Sequence, residues 1–360
     1  MLNIIIVNYN STNHLLVCLR SIYNSLKGLS AEIFVQDNAS QDNVDRVVDL
    51  FPDVNLTKNK SNLGFAKAVN QALKQSIVPY VLLINPDSHV KTGALKAMLS
   101  FMEANLDIAI LGPKILNPDG SVQGSARSFP TLLTGLFGRT SLLTRFFPNN
   151  RFSIANIRTT LSDGISPIEV DWVSGACMMI RRSAINAVGN LDESFFMYWE
   201  DADWCRRMTL RGWKVIYFPK ASITHHIGVS SNQLLWRTIW EFHKSSYLLF
   251  SKYAHSKFVF LKPFAIGGLG FRYLAIIALK LMSIANERIL LPLFSSLKLL
   301  FPDKKAKIGH LSKDSNVMAD SIAPEDKPVD AAIVKKSDIA RLEIKDQSMN
   351  DQSRKDLMPV

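Results

Sequence analysis

A chain of 360 residues with 47% hydrophobic content can bury one large core, and its length allows two or three domains. Three cysteines, Cys18, Cys177 and Cys205, stand far apart without CxxC spacing, which argues against a disulfide framework or a zinc site and fits a reducing cytoplasm. The net charge of +11 is concentrated between Arg237 and Lys298, where nine Lys/Arg meet two acids among Leu, Ile and Phe; that setting excludes a nucleic-acid module and favours a membrane surface.

Met1-Leu2-Asn3 runs straight into Ile4-Ile5-Ile6-Val7 without a basic stretch or cleavage site, so a first strand is expected there and not a secretory leader. Residues 1 to 231 alternate short apolar runs with helical patterns, the mark of βα units around a mostly parallel α/β sheet. The predicted strands are Asn3–Val7, Glu32–Gln36, Tyr80–Ile84, Ile108–Leu111 and Val215–Phe218. Phe65, Ala66, Val69, Ala72 and Leu73 recur at helical spacing after Asn62-Leu63-Gly64, which predicts a helix whose N-terminus suits a phosphate. Polar residues gather after two of the strands, as Asp37-Asn38-Ala39-Ser40 and Asn85-Pro86-Asp87-Ser88, where open α/β sheets bind ligands.

Asp87 leaves the end of a buried strand and is suited to a hard divalent cation that neutralises a diphosphate. Taken alone, Asn-Pro-Asp reads better as an Asx-type turn. In Tyr198-Trp199-Glu200-Asp201-Ala202-Asp203-Trp204-Cys205-Arg206-Arg207 a helix start puts Asp201, Trp204, Cys205 and Met208 on one face and pairs Asp203 with Arg207. The acids are either dipole partners of a first turn or, beside the apolar Phe195–Trp199 wall, carboxylates with raised pKa suited to general-base work. Of the adjacent His225 and His226, alternation on extended chain sends one into any given site, and Asp87 needs partners. Cys177 and Cys205 read as small core residues. Arg127 is either a contact to diphosphate or acceptor or a solvated loop residue.

Beyond residue 231 the run from Phe258 to Phe301 is apolar but cut by Lys262, Arg272, Lys280, Glu287, Arg288 and Lys298, leaving uncharged runs of about nine residues, short of the ~20 that span a bilayer. Helices lying in the membrane interface, with basic residues toward anionic headgroups, explain composition and charge together. An apolar helical hairpin packed on the core or on a second subunit is the alternative. Residues 302–360 carry no aromatic residue and balance eleven bases with eleven acids, a composition that rarely forms a core. The expected division is therefore 1–231, 232–301 and 302–360.

Asn8-Tyr9-Asn10-Ser11, Asp37-Asn38-Ala39-Ser40, Asn62-Leu63-Gly64-Phe65-Ala66, Asn85-Pro86-Asp87, Glu200-Asp201-Ala202-Asp203 and His225-x-x-Gly228-x-Ser230 follow one another as in family 2 glycosyltransferases, and the chain most resembles their bacterial rhamnosyltransferase-like branch. The resemblance covers residues 1–231. It implies a GT-A-type fold, an inverting transfer from a nucleotide-sugar donor and a divalent metal, Mg²⁺ or Mn²⁺. Asp37 corresponds to the aspartate that recognises the base, with Asn10, Ser11, Asn38, Asn62, Gly64 and Asn85 on the donor side. Asp87 stands where the metal-binding Asp-x-Asp motif ends; Asn85 replaces its first aspartate, which leaves the metal to Asp87, His225 and the donor diphosphate. Asp201 corresponds to the catalytic base, while Glu200, Asp203 and Arg127 support the site or contact the acceptor.

The implied function is transfer of a sugar, first rhamnose from dTDP-rhamnose, to a polyprenyl-diphosphate-linked saccharide in cell-surface polysaccharide synthesis, by a peripheral, monotopic protein at the cytoplasmic face of the bacterial inner membrane. UDP-hexose donors and a non-catalytic membrane-associated scaffold are the competing readings. A nucleotidyltransferase lacks support, because no Gly-rich, basic phosphate loop stands near the N-terminus.

Overall fold

The structure, a computed structural model, describes residues 1–75, 77–130, 156–226, 235–254 and 256–285. Gly228, Ser230 and the segment from residue 286 onward, including the whole expected tail, lie outside the described residues.

The chain opens with β1 (Leu2–Asn8), α1 (Thr12–Ser25), β2 (Ala31–Asp37), α2 (Arg46–Leu50), β3 (Val54–Lys58), α3 (Phe65–Leu73) and β4 (Tyr80–Ile84). β5 (Ser88–Val90), α4 (Ala94–Ala104), β6 (Ile108–Leu116), β7 (Ala126–Arg127), β8 (Ile168–Glu169), β9 (Trp172–Val173) and β10 (Cys177–Arg181) follow. Then come α5 (Arg182–Val188), α6 (Glu200–Thr209), β11 (Lys214–His225), α7 (Leu235–Tyr253) and α8 (Lys262–Ala285). Nine strands form one sheet in the order β3-β2-β1-β4-β10-β6-β11-β5, with β8 on β11, and β7 pairs with β9 apart from it. β3, β2, β1 and β4 run parallel, while β10 is antiparallel to both β4 and β6.

Both faces of the sheet are covered, and β1 shows how its sequence encodes this. Successive strand residues point to opposite faces. Ile4 and Ile6 enter the core beneath α1 and α4, and Ile5 enters the one beneath α3, α5 and α6, all essentially without exposure. Each contributes about 1.5–3 kcal/mol by burial.

The predicted strands appear, Tyr80–Ile84 with its predicted bounds and the others longer, and the predicted helix appears as α3. β10 was not among the expected strands: Cys-Met-Met-Ile-Arg carries a single β-branched residue, so its strand character comes from pairing with β4 and β6.

Two irregularities place the site. Phe195 to Trp199 has two non-glycine residues at positive φ, Tyr198 (69°) and Trp199 (68°), immediately before α6. Bulky residues there cost on the order of 1–3 kcal/mol each. In β11 the register against β6 shifts between Phe218 and Ser222, around Pro219, which has no N–H to give the ladder. Beyond the shift the strand pairs with β5, His225 opposite Ser88, and so delivers His225 beside Asp87.

Candidate active site

The donor-side motifs meet at the C-terminal ends of β1, β2 and β4. Asp37 is buried and accepts from Asn8 Nδ2 (2.8 Å) and the Ser40 hydroxyl at Oδ1, and from the Ser40 amide (3.0 Å) at Oδ2. The Ser40 hydroxyl also receives the Asn10 amide (2.8 Å), and Asn10 Oδ1 receives the Gln41 amide. Ser11 donates to Asn8 Oδ1 (2.8 Å). Left-handed backbone at Asn10 (φ 49°) and Ala39 (φ 63°) folds the two loops together. They border a shallow cleft of 380 Å³ lined by Asp37, Ser40, Asp42, Asp45, Lys58 and Asn59.

Asn38 reaches from these loops to the Asn62-Leu63-Gly64 segment by donating to the Gly64 carbonyl (3.1 Å), and the Gly64 amide donates to Asn62 Oδ1 (3.0 Å). Gly64 lies at φ 84°, and an added Cβ would collide with the Phe196 carbonyl and ring. The Phe65 amide donates to that same carbonyl (2.7 Å). Only glycine permits this approach, which ties the donor-side loop to the segment entering α6.

Asp87 is buried, and its Oδ1 lies 3.2 Å from His225 Nε2 without a hydrogen-bond donor. His225 Nδ1 faces Gln123 Oε1 (3.2 Å), and Gln123 Nε2 donates to the His225 carbonyl (2.8 Å). That network puts the imidazole proton on Nδ1 and leaves the Nε2 lone pair toward Asp87 and the Asn85 amide (3.2 Å). Two electron-rich atoms at that spacing match adjacent corners of an octahedral shell around a small divalent cation, roughly 3 Å apart. Asp87 and His225 therefore fit a metal, with Gln123 orienting the imidazole. Among the described residues no group of three or more His, Cys, Asp or Glu converges, so the rest of such a shell falls to other ligands. His226 points elsewhere, its ring 5.9 Å from that of His14.

Asp201 stands in the first turn of α6 with both oxygens anchored: Oδ2 accepts from the Gly175 amide (2.8 Å) and Oδ1 from the Ala202 amide (2.8 Å). Each oxygen keeps a second lone pair, and the residue remains partly exposed. Burial raises its pKa, opposed by the two amides and by the charge of Arg127. Neighbouring Glu200 is buried, has no hydrogen bond at Oε2, and is pushed up to about 8 by burial and then by the Asp201 charge. At neutral pH Glu200 therefore holds its proton.

Asp203 faces away from the cleft. It is fully buried and receives Arg207 Nε (2.8 Å), the Tyr253 hydroxyl (2.7 Å) and Lys252 Nζ (2.8 Å). Arg127 donates through Nε to the Gly124 carbonyl (2.7 Å) and lies over the Trp172 ring. The loop between β9 and β10 joins the two centres: its Gly175 amide holds Asp201, and the Ala176 carbonyl receives the Asn85 amide (2.9 Å).

Gln123 and Phe242 were absent from the sequence-derived site, whereas Gly175 lies in the Trp172–Cys177 run that the sequence places close to the sugar. Gly175 carried a signal, a small residue before a strand; Gln123 carried none, because its role depends on a contact across 102 residues. The three cysteines are buried, and burial raises every thiol pKa, which removes them as nucleophiles.

A doubly covered, mostly parallel sheet thus carries polar loops and the Asp87–His225 pair at its strand ends, with Asp201 on the first turn of α6, the layout of an α/β enzyme that binds its ligand beyond the strand C-termini. Residues 3–189 match Glycosyl transferase family 2, and the chain belongs to that family and is a glycosyltransferase. Over 260 residues it is 32% identical to N-acetylglucosaminyl-diphospho-decaprenol L-rhamnosyltransferase of Mycobacterium tuberculosis, covering 69% of this chain and 83% of that one. It is 26% identical over 148 residues to the rhamnosyltransferase WbbL of Escherichia coli (41% of this chain, 52% of that one). It is 23% identical over 233 residues to the dTDP-rhamnosyl transferase RfbF of Shigella flexneri (63% and 69%).

Proposed function

We propose that this protein is an inverting transferase that moves a deoxyhexose, first of all rhamnose from dTDP-rhamnose, onto a polyprenyl-diphosphate-linked saccharide at the cytoplasmic face of the bacterial inner membrane. The observation that carries the chemistry is the joint anchoring of Asp201 and of the Asp87–His225 strand end by consecutive residues, Gly175 and Ala176. The donor and acceptor follow the names of the relatives above.

Asp37, Asn10, Ser11 and Asn38 shape the loops that receive the base and ribose, and Asn62, Gly64 and Asn85 close the donor side. Asp87 and His225 would hold a divalent cation, Mg²⁺ or Mn²⁺, which would supply charge neutralisation for a nucleoside diphosphate leaving group. Asp201, fixed by two backbone amides, takes the proton of the acceptor hydroxyl. Glu200, holding its own proton, adds no second charge beside it. Asp203 and Arg127 position α6 and its surroundings. One displacement inverts the anomeric centre, and no second nucleophilic carboxylate is needed.

The transferase part, residues 1–231, is followed by a membrane-associating part, 232–301. Val259–Met282 contains an 18-residue window of mean hydropathy 1.6 in which no residue is fully buried. At 1.5 Å per residue such a helix reaches about 36 Å, enough to cross a ~30 Å hydrocarbon core. Its middle, however, is packed on α7: Tyr273 meets Trp240 (5.6 Å) and His243 (5.8 Å), and Arg272 lies over Phe242 (5.6 Å). α7 in turn is bonded to the catalytic part through Ser245, whose hydroxyl donates to the Met197 carbonyl (3.0 Å). A helix crossing the bilayer would drag that packing and Arg272 into hydrocarbon, so α8 lies in the interface with Phe264, Phe271 and Leu274 toward acyl chains.

Purified protein is assayed for nucleotide release against dTDP- and UDP-sugars with Mn²⁺, with EDTA, and as Asp201→Asn. Metal-dependent release of dTDP, lost in Asp201→Asn, is expected. Selective turnover of a UDP-hexose overturns the rhamnose assignment, and undiminished turnover in EDTA overturns the metal.

A further inference from the structure

We infer that a ladder of aromatic rings beside Asp201, running from β9 to α8, is the acceptor subsite: the indole of Trp199 stacks the acceptor sugar and Arg272 binds its diphosphate. The inference rests on the lipid-linked acceptor proposed above and assigns it to residues beyond the 3–189 family match.

Trp199 immediately precedes Glu200 and Asp201 and is held at positive φ, a conformation a bulky residue adopts only when its surroundings enforce it. Its ring lies tilted against Trp172 of β9 (5.9 Å) and Phe242 of α7 (5.8 Å), and Tyr198 meets the same Phe242 edge-on (5.7 Å). Arg127 caps the ladder over Trp172 (5.5 Å) and Arg272 of α8 caps it over Phe242 (5.6 Å). Trp199 remains partly exposed, which leaves ring surface open to the apolar face of a sugar.

Order along the ladder matches order along a lipid-linked saccharide. The sugar needs its hydroxyl at Asp201, where the flat apolar surface is. The diphosphate follows, and the planar guanidinium of Arg272 suits its oxygens. Next comes the apolar stripe of α8, with Phe271 74% and Leu274 64% exposed, which continues into the layer that holds the isoprenoid. The acids on this flank do not cancel the charge: Glu200 keeps its proton, and Glu241 is within 3.6 Å of Lys244.

The test measures binding to the intact protein by tryptophan fluorescence, using farnesyl-diphospho-N-acetylglucosamine and octyl N-acetylglucosaminide, which lacks the diphosphate. Wild type, Arg272→Gln and Trp199→Phe are compared, with circular dichroism as the folding check and acceptor-free hydrolysis of the donor as a separate readout. Arg272→Gln is expected to weaken the diphosphate-bearing probe at least tenfold and leave the octyl glycoside within twofold; Trp199→Phe is expected to weaken both severalfold. Donor hydrolysis stays within twofold in Arg272→Gln. Equal effects of Arg272→Gln on both probes, no effect on either, or no binding of the diphosphate probe by wild type overturns the subsite. Loss of donor hydrolysis in wild type itself would instead sink the transferase reading.

Discussion

Two regions of the candidate site are built from different materials. On the proposed donor side, Asn8, Asn10, Ser11, Asp37 and Ser40 satisfy one another in a dense hydrogen-bond network at the ends of β1 and β2. On the acceptor side, rings and ion pairs dominate: the Trp172–Trp199–Phe242 ladder, and Asp203 with Arg207, Lys252 and Tyr253. A nucleotide presents fixed donors and acceptors, which a network of matching polarity recognises without moving. A saccharide at a membrane presents ring faces and an approach path, which flat apolar surfaces and a peripheral helix accommodate. Preorganisation therefore comes from hydrogen bonds on one side and from packing and buried charge on the other.

The largest effect is expected where the acceptor side depends on one buried anion. Asp203 is the only carboxylate among the described residues that joins α6 to α7 through three donors, so Asp203→Asn leaves Arg207 and Lys252 facing a neutral amide. Removing one partner of a buried pair costs about 3–5 kcal/mol. Thermal denaturation is expected to show a drop of roughly 6–15 °C. Asp192, which pairs with the same lysine at the surface (2.6 Å), is the contrast: Asp192→Asn is expected to cost under about 1 kcal/mol. Similar losses in both variants would erase the distinction between buried and surface charge.

Gly64 is the next test, because it joins the two sides. Gly64→Ala combines a positive φ with a collision at Phe196, and is expected to lose on the order of 2–3 kcal/mol in denaturant unfolding. Transfer is expected to fall more than stability at a temperature where the variant is folded, since the displaced segment carries Trp199 into α6. A variant with wild-type stability would contradict the close approach. A smaller loss follows Gln123→Ala, which frees the His225 ring. Metal affinity, titrated with Mn²⁺ by paramagnetic relaxation, is expected to weaken 10–100-fold. An unchanged affinity would place the metal away from His225.

Much of the donor side was legible in the sequence, because its residues sit where strands end, and strand ends are marked by apolar runs breaking into Asp, Asn and Ser. β1, β2 and β4 and the loops after them were readable for that reason, as was α3 from its periodicity. The pairing of Asp203 with Arg207 was readable too, since it is local. The acceptor side was far less visible. Trp172, Trp199 and Phe242 come from three distant elements, and an aromatic residue in sequence looks the same whether it fills a core or lines a cleft. Asp203 was expected to support the site or to contact the acceptor; its burial and three donors make it a support. β10 was missed because methionine carries no strand preference, so only its neighbours make it one.

The smallest effect concerns the proton on Glu200, and it sharpens the comparison by asking whether the acceptor side carries one charge or two. The folded-state pKa, near 8, lies above the ordinary carboxylate value of 4.5. Between these values the unfolded chain has released a proton that the folded chain retains, so stability is fully present below about pH 4.5 and is lost as pH rises toward 8. The slope is at most one proton, about 1.4 kcal/mol per pH unit. Glu200→Gln removes that slope while keeping the shape of the side chain. Denaturant titrations at pH 6 and pH 7 are therefore expected to show wild type losing stability relative to Glu200→Gln as pH rises. Transfer by Glu200→Gln at pH 7 is expected to stay within a few-fold of wild type, because the glutamine amide replaces a carboxyl that was already neutral. A parallel pH dependence of the two proteins, or a collapse of transfer at pH 7, would mean that Glu200 is ionised beside Asp201, and the base would then have to be sought in the pair and not in Asp201 alone.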